Sequence, residues 1–302
     1  MERERSSMHK PYSYPMDETI CGKFQFLQSM RQASQRQLNL LICIAFTLVC
    51  EPLTNAASTD DELRAAKLVE NAVLTRMGGR HENPTESDRA DLQKLTEMYE
   101  QLVAKYPQNA GARNAFANYL WLIGRQSDAI MQWETAEKID PKNAETVYQL
   151  GHCHLTLGEV KKAVAYFSHA SELAPGNAIY HLELGNALYL FRKEVPGETE
   201  AVITRALEEF RKAAELEPFN AEYAKSYAET FYGMQSPDWQ QALKAWSHYL
   251  EIASNKDFAY ANLARVSLKL GRKKEAREFL AKIEGKDFDR IKSVLFKQSE
   301  SD

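Results

Sequence analysis

Two stretches, AGARNAFANYLWLIGRQSDAIMQWETAEKIDP from Ala110 to Pro141 and AETVYQLGHCHLTLGEVKKAVAYFSHASELAP from Ala144 to Pro175, carry one residue pattern twice. In each, a large apolar residue precedes a small one (Phe116-Ala117, Leu150-Gly151). A glycine follows seven residues later (Gly124, Gly158) and an alanine five beyond that (Ala129, Ala163). An aromatic (Trp133, Phe167), a second alanine (Ala136, Ala170) and a proline complete the unit. Pro107, Pro141 and Pro175 are spaced by 34 residues. A fixed period of this size indicates stacked helical hairpins, because one hairpin cannot bury its apolar face without a neighbour. The small residues let two helices approach, the glycines let the first helix turn, and the proline stops the second.

Together these positions resemble the tetratricopeptide repeat, and the resemblance implies a right-handed superhelical solenoid. Outward from the two clear units the register continues with irregularities. Leu95, Tyr99, Leu102 and Pro107 fit the second helix of a preceding repeat, whose first helix is expected over Glu62 to Met77, with GGRHENPT between them. Leu184-Gly185, Leu188, Ala206, Phe210, Ala213 and Pro218 form a third unit, in which the proline spacing grows to 43 and nine residues are inserted around Glu194 to Thr199. Pro196 and Gly197 predict a first helix ending near Lys193 and a longer second helix from Thr199 to Glu217. Tyr227-Ala228, Phe231, Ala242 and Trp246 belong to a fourth unit, and Leu263-Ala264, Gly271, Ala276 and Leu280 to a fifth. Phe288 to Phe296 reads as a capping helix with a polar outer face. The expected fold is all-α: one continuous array of five to six helix pairs over residues 58–297, with a disordered tail at 298–302.

Leu38 to Cys50 (LNLLICIAFTLVC) is a 13-residue apolar run, shorter than the roughly 20 residues a membrane-crossing helix requires. Arg31 and Arg36 precede it and Thr54, Ala56 and Ala57 follow, the order of a secretory signal. Residues 30–57 are therefore expected to act as a signal peptide cleaved after Ala56 or Ala57, which makes the protein periplasmic or secreted. The alternative is a membrane anchor at 38–50. Residues 1–29 are expected to be a disordered extension or the product of an early start codon.

The formal net charge is −4, and the chain stays slightly acidic without its first 56 residues. No basic excess is available to hold phosphates, which argues against nucleic acid as a partner. Of the four cysteines, Cys153 alone lies beyond the signal, so no internal disulfide is expected and this thiol reads as a small buried hydrophobe. His152 and His154 suggest a metal site, but on a helix they diverge by about 200° and cannot share an ion. Gly78-Gly79 and Gly176 punctuate helices and join no strand to a phosphate-binding helix. Neither catalytic residues, metal nor cofactor is expected, and the chain does not read as an enzyme.

Recognition is the remaining role. With about 100° per residue, positions 2, 5, 9 and 12 of each first helix share a face away from the packing positions 4, 7, 8 and 11. In tetratricopeptide repeats this face lines the groove that holds peptides. The resemblance assigns to it Asn114, Asn118 and Trp121 in the first full repeat, and Glu145, Tyr148, His152 and Leu155 in the second. Leu182, Asn186 and Tyr189 follow in the third, and Glu222, Lys225, Glu229 and Tyr232 in the fourth. The carboxylate-clamp variant of the family needs lysine at position 5 and asparagine at position 9 of one repeat; Asn114 stands where that lysine belongs, which argues against a receptor for chaperone tails. The expected function is a scaffold binding a peptide or helix of a partner protein in this groove. An alternative is a stabilising or assembly subunit of an envelope enzyme complex, acting through the convex face or the third-repeat insertion. Membrane association is expected only through an uncleaved N-terminal segment.

Overall fold

The computed structural model describes residues 58–78 and 84–300. The expected extension and export segment, residues 1–57, lie outside the described residues. Thirteen α-helices and no strand occur among the described residues. They are α1 (Thr59–Met77), α2 (Glu86–Lys105), α3 (Ala110–Leu122), α4 (Gln126–Ile139), α5 (Ala144–Thr156), α6 (Val160–Leu173) and α7 (Ala178–Phe191). They continue with α8 (Thr199–Leu216), α9 (Ala221–Thr230), α10 (Trp239–Ile252), α11 (Lys256–Lys269), α12 (Lys273–Ala281) and α13 (Asp289–Glu300).

Helix boundaries follow local chemistry. Tyr106, Ala174 and Glu217 each precede a proline and leave the helical region, with ψ of 67°, 71° and 75°, because the proline ring disfavours α geometry in the residue before it. Two residues past each proline stands an asparagine: Asn109, Asn143, Asn177 and Asn220 cap the first helices of successive repeats, their side chains accepting backbone N–H groups of the first turn. Asn255 does the same for α11. Gly124, Gly158 and Gly271 turn the chain out of α3, α5 and α11 with φ of 82°, 76° and 72°. In each case the next N–H returns to a carbonyl five residues back, a closure that needs the left-handed conformation glycine adopts without strain.

The helices group into two compact units divided between Gln132 and Trp133, within α4. In the first unit α1, α2 and α3 pack on one another. Tyr99 stacks on Phe116 and Tyr119, and its hydroxyl donates to Glu70 at 2.5 Å. Arg76 pairs with Asp88 and Asp91, tying α1 to α2 across the breaker run. In the second unit each helix from α5 to α12 packs on its successor, and α13 also returns to α11. Equivalent positions recur there at atomic detail. A Cβ on Gly151 would lie 2.7 Å from Cε1 of Phe167, and one on Gly185 would lie 2.7 Å from Cε1 of Phe210. In these two repeats the small residue of the first helix is thus the seat for the aromatic ring of its partner helix.

The insertion in the third repeat is ordered. α7 ends at Phe191, two residues before the expected stop, and a 3-10 turn at Pro196–Glu198 leads into α8. At 18 residues α8 is longer than the 14 of α6 and α10, as the insertion predicts. Helix α13 runs to Glu300, so the tail expected from 298 does not begin there. The cap's outer face is also not uniformly polar, since Val294 and Phe296 are exposed.

Candidate functional site

The second unit brings the inner face of its first helices together. In the second repeat Tyr148 and His152 meet edge to face at 4.5 Å, and both lie against Phe167, with ring centroids at 5.8 and 5.0 Å. Burial pushes the His152 imidazole down to about 4, so it is neutral at physiological pH. Leu155 and Tyr148 are half-buried against the neighbouring core, while Glu145 is exposed. His154 turns to the other side, stacked on Tyr166 with Nδ1 2.6 Å from Glu159. The two histidines diverge as helical geometry requires. Among the described residues no group of three or more His, Cys, Asp or Glu is placed to hold a metal ion. Cys153 is buried, and its thiol is pushed up to about 12 by desolvation, which leaves it protonated and unreactive.

Leu182 departs from the expected groove. It is 4% exposed and belongs to the core formed by α7, α8 and their neighbours. The hydrophobic demand at this helix crossing outweighs the simple angular assignment, for α7 is apolar almost all round and buries Tyr180 to Gly185 without interruption. Asn186 keeps a half-buried place one turn on, where its amide bonds the carboxylate of Glu183, whose pKa burial nonetheless raises to about 7. Asn114 and Trp121 are half-buried and Asn118 is exposed on α3, in the first unit.

The remaining expected residues converge. Tyr189, Glu229 and Tyr232 line a cavity of about 340 Å³ together with Phe258, Ala261, Asn262 and Arg265 of α11 and Phe288 and Ile291 beside the cap. Tyr189 is held on one side by Arg192, whose guanidinium lies 3.5 Å from its ring centroid. On the other side Gly233 admits its hydroxyl, since a Cβ there would stand 2.9 Å from it. Tyr232 rests against Trp239 and Trp246 and donates its hydroxyl to Asn262 Oδ1 at 3.2 Å, across two repeats. Burial raises this phenol to about 12, so it stays a donor. Glu229, flanked by Lys225 at 3.9 Å, is raised above the ordinary carboxylate range by desolvation, with Lys225 opposing. Lys225 also reaches over Phe258 at 5.5 Å, and Glu222 is exposed beyond it.

Phe258, Ala261 and Arg265 hold positions 2, 5 and 9 of the fifth repeat, counted from Ala264 at position 8. Carrying the register one repeat further would have identified them. Phe288 and Ile291 had no such signal, because a cap lies outside the period.

The tetratricopeptide-repeat family matches this chain at residues 97–144, 144–177 and 259–284. A human protein, the mitochondrial import receptor subunit TOM70, is 25% identical over 180 residues, covering 49% of this chain and 29% of its own length. This chain therefore spans less than a third of that receptor. Two solved structures share the fold. YrrB, described as a TPR protein with an unusual peptide-binding site, aligns at a TM-score of 0.55 and 19% identity, over 67% of this chain and 99% of its own. The C-terminal part of a TPR repeat-containing protein from Cytophaga hutchinsonii aligns at 0.58 and 16% identity, over 92% of this chain and 100% of its own. Matched segments on both sides of the unit boundary, a shared fold and the recurring glycine seats and proline stops agree: the chain is a tetratricopeptide-repeat protein.

Proposed function

We propose that this protein is a non-catalytic interaction scaffold that holds a peptide or helix of a partner protein against the inner face of its C-terminal repeats. The repeat family and the similarity to an import receptor subunit support an interaction scaffold in general. The cavity framed by Tyr189, Tyr232, Phe258 and Ile291 carries the finer reading. It combines aromatic walls, which supply contact area at small entropic cost, with a few polar groups that fix orientation. We propose in addition that the protein acts outside the cytoplasm, on the strength of the charge and length order of residues 30–57.

The test uses the full chain as bait in lysate of the source organism, beside a Tyr189→Ala, Ile291→Asp variant and a variant lacking residues 194–199. Both altered side chains lie at the cavity rim, and thermal melting checks that the repeats stay folded. Loss of a partner with the rim variant and its retention with the deletion support the groove. The reverse pattern supports assembly through the insertion, and rejects the groove.

A further inference from the structure

We propose that the segment bound in this cavity carries an apolar side chain beside a carboxylate, the apolar group seated among Tyr232, Phe258 and Ile291 and the carboxylate paired with Arg265. The proposal rests on the groove reading given above and adds the chemistry of the ligand. Arg265 is half-buried at the cavity wall, and among the described residues no carboxylate lies within ion-pair distance of it. Its guanidinium sits 5.2 Å from the Tyr232 ring centroid and donates to Asn262 Oδ1 at 3.4 Å. Asn262 is itself fixed, 4% exposed, with Nδ2 donating to the Phe258 carbonyl at 2.9 Å and Oδ1 also accepting from the Tyr232 hydroxyl. A guanidinium carries five N–H donors; the bond to Asn262 and a further one to the Tyr232 hydroxyl use two of them. The side chain is thus held in place with most of its donors unspent, against apolar walls that strengthen any ion pair formed there.

Two further cations stand near this face, Arg192 stacked on the ring of Tyr189 and Lys225, which is differently placed. Lys225 stands 3.9 Å from Glu229, which answers its charge from within the protein. The cavity therefore has a direction: anionic where α9 lines it through Glu229, cationic where α11 lines it through Arg265. A ligand carboxylate meets like charge on the first side and a fork of donors on the second, the geometry that matches its two oxygens. The net acidity of the whole chain means that this preference comes from one local group, with no general attraction of anions behind it.

The experiment is selection of a displayed library of random dodecapeptides on the full chain, followed by affinity measurement of the recovered peptides. Groove binders are defined as those that lose affinity to the Tyr189→Ala variant. The expected result is enrichment of Asp or Glu within about three residues of an aromatic or branched apolar residue, the reach of one cavity of this size. Changing the acid to its amide in the peptide, or Arg265→Gln in the protein, should each weaken binding about tenfold or more, the scale of a charge-assisted contact. Arg265→Lys should lose less, and Arg265→Glu should select basic peptides instead. Amide substitution in the peptide keeps the test valid even if a protein variant is unstable. Groove binders with no acidic preference, or unaffected by Arg265→Gln, overturn the carboxylate pairing and leave the groove reading intact. Recovery of no Tyr189-dependent peptide overturns both.

Discussion

At Gly151 the absence of a side chain is a packing requirement. An added Cβ would lie 2.7 Å from the ring of Phe167, and that ring is fully buried, so it has nowhere to withdraw. Gly151→Ala should therefore destabilise by about 1–3 kcal/mol as overpacking, whereas Lys161→Ala on the exposed side of α6 should cost less than about 0.5 kcal/mol. Urea melts of the two variants measure the difference. A second residue-level device joins α7 to α8. His181 Nδ1 lies 2.6 Å from Glu209 Oε2 and its Nε2 3.0 Å from the Pro175 carbonyl. Both partners are acceptors, so both ring nitrogens carry hydrogen and the imidazole is charged. The bond from Glu209 raises the His181 pKa against the desolvation that lowers it. Burial opposes ionisation of Glu209, and the bonds from His181 and Lys212 outweigh it, lowering its pKa. The histidine contribution is complete below its unfolded pKa and is lost as pH rises through the raised value. The carboxylate contribution is complete above its unfolded pKa and is lost as pH falls through the lowered one. The stability gap between wild type and Glu209→Gln should thus be widest near pH 6, at about 3 kcal/mol for a buried pair, and narrow on both sides. A gap independent of pH would show that the pair is not charged.

At the scale of elements, the sequence was legible wherever one repeat could be laid on another. Small seats, glycine turns and proline stops all fall where the period puts them, because each is set by contacts inside a hairpin or with the next one. The capping asparagines were missed, although Pro-x-Asn recurs at Pro107, Pro141, Pro175 and Pro218 and would have signalled them through the unpaired N–H groups of a first turn. Leu182 was misassigned because helical angle alone does not tell how deeply a neighbouring helix buries a face. The exposed apolar residues of α13 and the contribution of Ile291 to the cavity depend on where the last helix returns to α11, a tertiary fact with no periodic trace. The inserted segment offers a direct check on the element boundaries. Amide exchange should be slow from Val202 to Leu216, where α8 packs on α7, and fast only across Lys193 to Glu198. Fast exchange from Phe191 through Arg205 would mean that α8 does not begin at Thr199.

For the whole molecule, the repeat pattern carries no mark of where the contacts group. Proline-to-proline units look alike in sequence up to Pro175, and the two compact units divide within α4, between Gln132 and Trp133. No helix among the described residues is long and apolar enough to cross a membrane. The export proposal concerns residues before Ser58 and is decided by N-terminal sequencing of the protein from its native host. A mature start near Ala57 or Ser58 supports it, and retention of Leu38 to Cys50 in a membrane fraction favours an anchor. The groove proposal is tested most directly by amide exchange of the full chain with and without a captured partner. The account predicts protection concentrated on Tyr189, Glu229 to Tyr232, Phe258 to Arg265 and Phe288 to Ile291; protection confined to Glu194 to Thr199 and the outer side of α8, with these segments unchanged, would contradict it.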